Sequence, residues 1–211
     1  NPADLSAETR LAAYEMLTFE LNRTHLGQGM DICWHNEKEV RITEPEYLEM
    51  CACKTGCLGR IVARLAAIVT ENPDAEDAVA NYAEDMAVAF QIADDVLDVE
   101  HAMEEGGSFG KGVGNDIREG KKTLMVIHAA DNAPAEDVAR LEELLWAEEN
   151  TDEEVMEAID ILESAGSVEY ARGVAEDLSA ESQAHLDDVD LEDGPERKLR
   201  SFAEFVVDRE R

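Results

Sequence analysis

The stretch DAEDAVANYAEDMAVAFQIADDVLDVE, Asp74 to Glu100, decides how the rest of the chain is read. It reads as one long helix that opens with acids, which suit the positive end of the helix dipole. Near its far end, FQIADDVLDVE sets Asp94, Asp95 and Asp98 inside an apolar run. Residues three and four apart share a helix face. Gln91, Asp94 and Asp98 therefore line one side, Asp95 sits on its shoulder, and Phe90, Ala93, Val96 and Leu97 supply apolar surroundings. Carboxylates beside an apolar wall are costly unless something neutralises them. Magnesium is the natural candidate, because it takes oxygen ligands and is often shared with substrate phosphates. The bland alternative is a solvated acidic face, which charge runs on helices usually are.

Outward from this stretch, nearly everything reads as helix. Upstream, Leu11, Tyr14, Leu17 and Leu21 recur at helical spacing. EPEYLEMCACKTGCLGRIVARLAAIVT is a further helix that starts near Pro45 and stops before Asn72-Pro73. Downstream, the glycines of EEGGSFGKGVGND mark a loop. KKTLMVIHAADNA, PAEDVARLEELLWAEE, TDEEVMEAIDILESAG, SVEYARGVAEDLSAESQAHLDDV and GPERKLRSFAEFVVDRER continue as helices. Thr151 to Glu154 has the form of a capping box. No hairpin signal appears. The fold class is all-α, a large bundle around a central cavity.

The chain has 211 residues, 45% of them apolar, and a formal net charge of -32. That composition supports a folded core rather than disorder. Nucleic acid and anionic membranes are excluded as partners, because binding phosphate arrays needs clustered Lys and Arg. No apolar run is long enough to span a bilayer. An acid-coated, lysine-poor surface suits high salt, where screening weakens self-repulsion. Cys51, Cys53 and Cys57 share one helical stretch and Cys33 stands alone. The second ligand pair of a zinc site is missing, so the four read as reduced, packed thiols of a cytoplasmic protein.

The lysines sharpen the reading. Lys54 stands in KTG, within an apolar helix, Lys111 in GKGVGND, and Lys121 and Lys122 in EGKKT. Four of the six lysines thus lie within two residues of a glycine. Glycine lets backbone and ligand approach closely. Cations and carboxylates together imply an anionic ligand that brings metal, and a diphosphate fits.

These segments resemble those of the trans-prenyltransferases, the isoprenyl diphosphate synthase family. GQGMD at 27–31, KTG at 54–56, FQIADDVLD at 90–98, GKGVGND at 110–116 and EGKKT at 119–123 stand in the family's order, and ESAGSVEYARGVAEDL is similar to its later helices. The resemblance implies an isoprenoid synthase-type helical bundle and a magnesium-dependent enzyme. Its substrates would be an allylic diphosphate and isopentenyl diphosphate, and its product a trans-prenyl diphosphate of geranylgeranyl or similar length. Residue by residue, it makes Asp94 a magnesium ligand of the family's second aspartate-rich motif, with Asp95 and Asp98 as weaker or water-mediated partners. Lys54, Lys111 and Lys121 would hold the allylic diphosphate. Thr55 and Gln91 would face the developing cation, with Gln28 and Asp31 as supporting groups. A homodimer is implied as well.

The chain departs from the family pattern in one main respect. The first aspartate-rich motif and the upstream basic residues are missing from the 26 residues before Gly27. Because the chain begins with Asn1 rather than Met, residues 1–211 are expected to be the C-terminal portion of one prenyltransferase domain. Two other readings compete. One is a non-catalytic regulatory subunit of a prenyl synthase. The other is an acidic helical metal-binding scaffold, which gives no reason for Lys54 and Lys121 to stand beside glycines.

Overall fold

A computed structural model describes residues 4–37, 41–104 and 114–208. Those residues contain helices and no strand, as the periodicity requires. In chain order they are α1 (Ala7–Asn36), α2 (Glu44–Cys51), a π-helical turn (Ala52–Gly56), α3 (Cys57–Val69), α4 (Pro73–Glu104), α5 (Asn115–Arg118), α6 (Leu124–Asn132), α7 (Ala135–Leu145), α8 (Asp152–Ser164), α9 (Ser167–His185) and α10 (Asp193–Val207). No helix of the described residues is long and apolar enough to cross a membrane.

Local chemistry explains most of the boundaries. Pro73 opens α4 at the one turn where a missing N–H costs nothing, and Asp74 and Glu76 follow in that turn. Thr151 caps α8 as a true capping box: its side chain accepts from the Glu154 N–H, and Glu154 accepts from the Thr151 N–H. Thr123, last residue of EGKKT, caps α6 through Val126 N–H. The helix expected to run unbroken from Pro45 to Thr70 carries a π turn across Ala52–Gly56, where the Cys57 N–H reaches back five residues to the Ala52 carbonyl. Such turns cluster at functional positions. One short helix was not anticipated: Asn115–Arg118 makes a turn of α5 at the end of the glycine-rich segment.

The chain divides into two compact units, one of Asn1–Met30, Leu48–Gln91 and Ala175–Arg211, the other of Asp31–Tyr47 and Ile92–Val174. In the second, α8 packs on α5, α6 and α7. Val155, Ala158, Ile159 and Leu162 are fully buried there, as are Leu124, Met125, Leu141 and Leu144 to within 2%. Each large aliphatic side chain so buried contributes roughly 1.5–3 kcal/mol before entropy is counted. In the first unit, Tyr82, Ala83, Leu186 and Ala203 form a cluster extended by Ala63, Met86, Leu191 and Leu199. The Tyr82 hydroxyl donates to the Leu199 carbonyl at 2.8 Å.

Helix α1 is built differently. The apolar stripe that marks it as a helix points outward: Leu11 is 57% exposed, Tyr14 69% and Leu21 40%. Its buried face holds Thr9, Met16, Glu20 and Gly27. A carboxylate and a glycine share the packing with Thr9 and Met16.

Candidate active site

In the first unit, the site residues are set by close backbone packing. A Cβ on Gly27 would stand 2.4 Å from the Lys54 backbone N and 2.8 Å from Cys53 C and Cβ. The first glycine of GQGMD is therefore the surface on which the KTG turn rests. Gly56 faces α4, where a Cβ would meet Glu84 Cγ at 2.9 Å, and Gly59 faces the Ala83 carbonyl at 2.6 Å. The Thr55 hydroxyl donates to the Gln91 side-chain carbonyl at 3.2 Å, so the two groups expected to face the reacting carbon are already joined. Lys54, Thr55 and Gln91 are half-buried, and Gln28 is exposed.

A buried ion cluster fastens the same region. Glu20 is fully buried. Its carboxylate accepts from Arg64 at 2.7 Å and from Arg60 at 3.0 Å, and pairs with Arg23 at 3.4 Å. Arg23 also reaches Glu84 at 3.2 Å, and Arg64 reaches Glu76 at 2.8 Å. Burial pushes the Glu20 carboxyl upward, but hydrogen bonds from Arg64 and Arg60 outweigh it and hold the group below the usual range. Burial pushes the Cys57 thiol up to about 12 and raises Cys53 as well. These are inert packed thiols, whereas Cys33 is exposed. No sequence signal separated Glu20 from the chain's many other acids.

In the second unit, the aspartates divide their roles. Asp95, read as the shoulder residue, is the buried one, at 3% exposure. The buried seam of α4 runs through Ile92, Val96, Val99 and Ala102, and Asp95 falls on it. Its carboxylate accepts from the Tyr47 hydroxyl at 3.1 Å and pairs with Lys121 Nζ at 2.7 Å. Lys121 bridges on to Asp116 at 3.1 Å. Burial opposes the Lys121 charge, yet these two carboxylates win and raise its pKa above the ordinary lysine value. Asp98 is half-buried and receives the Gly114 and Asp116 backbone N–H groups, each at 3.2 Å, which organises the start of α5. Burial raises the Asp98 pKa, with Asp116 adding repulsion and the backbone donors opposing it. Asp94 is the exposed member.

Glycines are required here too. Gly120 in EGKKT has φ 64°, and a Cβ there would lie 2.3 Å from the Leu145 carbonyl. Gly114 has φ 67° and would meet Val155 Cγ1 at 2.7 Å. Lys122 Nζ donates to the Glu37 carbonyl at 3.0 Å. Asp31 is half-buried. Lys111 lies outside the described residues, as do Arg209 and Arg211 at the C-terminus. Tyr47 and Asp116 were not singled out in the sequence. Asp116 had a signal, being the acid that closes GKGVGND, whereas Tyr47 had none.

The donor set suits a hard, oxygen-seeking cation. Among the described residues no group of three or more His, Cys, Asp or Glu side chains stands close enough to hold a metal alone. Magnesium needs fewer, since it keeps waters and shares substrate phosphates beside one or two carboxylates. The exposed Asp94 carboxylate fits that role.

The family model for polyprenyl synthetases matches residues 3–162. A short chain isoprenyl diphosphate synthase of Methanothermobacter thermautotrophicus is 37% identical over 87% of this chain and 54% of its own length. The crystal structure of a geranylgeranyl pyrophosphate synthetase from Pyrococcus horikoshii Ot3 superposes with a TM-score of 0.85 at 32% identity, over 98% of this chain and 61% of that one. A geranylgeranyl pyrophosphate synthase from Corynebacterium glutamicum, solved with isoprenyl diphosphate and magnesium, gives 0.84 at 26%, over 98% and 57%. The chain belongs to the polyprenyl synthetase family and has its all-α fold. It spans between about half and three fifths of the length of these relatives.

Proposed function

We propose that this chain serves a magnesium-dependent prenyltransferase that joins an allylic diphosphate to isopentenyl diphosphate. The observation that carries the reading is the exposure of the Asp94 carboxylate on the helix that also bears Asp95 and Asp98. Magnesium shared with a diphosphate takes one or two carboxylates and keeps several waters, which an exposed carboxylate allows. The solved relative that holds isoprenyl diphosphate and magnesium supports the same chemistry.

Lys54 and Lys121, with Lys111, hold the allylic diphosphate as point charges. An ammonium carries three donors, so the pairing of Lys121 with Asp95 and Asp116 is compatible with a further phosphate oxygen. Asp94 would hold magnesium, with Asp95 and Asp98 as weaker or water-mediated partners, and the ion would supply Lewis-acid stabilisation of the departing diphosphate. The allylic C–O bond breaks with its electron pair on the diphosphate. The double bond of isopentenyl diphosphate captures the allylic cation, and a proton is lost to the released diphosphate. Thr55 and Gln91 offer oxygen dipoles to the transient positive charge. Gln28 and Asp31 act as supporting groups.

A geranylgeranyl-length product is the preferred assignment. A homodimer is the preferred assembly, supported by the outward apolar stripe of α1. A high-salt cytoplasm is the preferred setting, supported by the net charge of -32.

The test supplies labelled isopentenyl diphosphate, magnesium and allylic diphosphates of several lengths in high salt, then sizes the products. Elongated product establishes the reaction and its chain length. Diphosphate binding without elongation moves the chain to the regulatory-subunit reading. No binding overturns both. Melting temperature should rise with salt, and a salt-independent value would contradict the high-salt setting.

A further inference from the structure

We propose that Gly27 is a positioning residue for Lys54: the absence of its side chain sets where the KTG turn lies. This inference rests on the prenyl-transfer reading only in supposing that Lys54 binds diphosphate.

The argument begins with the contact. A Cβ on Gly27 would press on the Lys54 backbone N at 2.4 Å, closer than any real Cβ contact, and the atom it meets is main chain. A flexible side-chain tip could swing aside, but a backbone nitrogen moves only if its turn moves. The turn has little room on its other side, where Gly56 lies against Glu84. Helix α1 is also prevented from drawing back. Two turns before Gly27, the fully buried Glu20 holds Arg60 and Arg64, which follow the KTG turn on α3. One turn before Gly27, Arg23 pairs with Glu84 on α4. The ion cluster thus fixes α1 against α3 and α4 at the contact distance that only glycine permits. The π turn adds a second reason, since its Cys57-to-Ala52 bond depends on the path of Cys53 and Lys54.

Gly29 provides the internal control. It lies on the same helix two residues on, and a Cβ there meets nothing within 4 Å. Gly27→Ala and Gly29→Ala make the same chemical change to helix propensity, so they differ only in the contact.

The experiment labels the full chain with 15N-lysine, which gives six backbone resonances, and assigns Lys54 by its loss in Lys54→Arg. Inorganic diphosphate with magnesium is titrated by calorimetry in high salt. In Gly27→Ala the Lys54 amide resonance should move, and diphosphate affinity should fall roughly ten- to a hundredfold, the scale on which sub-ångström to ångström misplacement acts. Gly29→Ala should change neither. Gly56→Ala, which presses on the same turn through the more yielding Glu84 side chain, should shift both readouts in the same direction by less. It serves as the test if Gly27→Ala fails to fold. A Lys54 resonance that moves with affinity unchanged overturns the positioning role. So does an unmoved resonance, and so does equal loss in Gly29→Ala. If the parent chain binds no diphosphate, the functional reading itself fails, and that result is distinct because it appears before any substitution.

Discussion

Lys54 and Lys121 stand in motifs of the same kind, each within two residues of a glycine, and a different constraint is visible at each. Lys54 is fixed through its backbone, by α1 pressing Gly27 against the KTG turn. Lys121 is fixed through its charge, by Asp95 and Asp116. At Lys54 the limit is added volume at Gly27, and at Lys121 it is lost charge at Asp95 and Asp116. A glycine near a lysine in a sequence therefore means different things: Gly56 admits α4, while Gly120 adopts a left-handed turn against the Leu145 carbonyl. This contrast sets how each half should fail.

The largest effect should come from Asp94, the exposed aspartate of the three on α4. Asp94→Ala should cut magnesium-dependent turnover by about a hundredfold or more while leaving the melting temperature nearly unchanged. Near-normal steady-state rates would remove Asp94 from the metal site.

Charge removal should be felt as stability in both regions. Glu20→Gln keeps the volume but leaves Arg60 and Arg64 without their shared buried anion, and should cost about 3 kcal/mol in denaturant unfolding. The pH dependence follows from the lowered Glu20 pKa. The folded carboxylate binds a proton more weakly than the unfolded one. Its stabilisation is therefore fully present above about pH 4.5 and is lost as pH falls through the lower folded value. The Gln variant should show a flatter acid limb, and an unchanged limb would remove Glu20 as its source. Asp95→Ala should cost less, about 2 kcal/mol, because Lys121 keeps Asp116 and is partly solvated. A cost equal to that of Glu20→Gln would blur the distinction between the two regions.

The smallest effect is a reactivity difference. At pH 8 a thiol reagent should label Cys33 quickly and leave Cys51, Cys53 and Cys57 unreacted until the chain unfolds. Their burial, and for Cys57 a pKa of about 12, keep the thiolate away. Rapid labelling of Cys53 or Cys57 in the folded protein would show that the KTG region is looser than its glycine contacts require.

The fold class was legible because helical order is local. Asp74 and Glu76 open α4, Thr151 and Glu154 close a capping box, and Asn72-Pro73 separates two helices, all through contacts within a few residues. The candidate site was legible as a set of motifs. KTG, FQIADDVLD and EGKKT carry unusual residue types in a fixed order, and the family match over residues 3–162 agrees with them. Spacing was less reliable about which side of a helix is covered. On α1 it identified the helix correctly, but Leu11 and Leu21 are exposed, Leu17 is half-buried, and the buried positions are Thr9, Met16, Glu20 and Gly27.

By itself, then, the sequence determined the long helices, the motif order and the family. Only the tertiary structure decided which aspartate is buried, that Tyr47 and Asp116 complete the Lys121 cluster, and that Gly27 supports Lys54. The reason is separation along the chain. Tyr47 lies 48 residues from Asp95, and Arg64 lies 44 from Glu20. No periodicity links such positions. They meet because burying a charge requires a partner wherever the fold can bring one, and closing two helices requires a residue without a side chain at the point of contact.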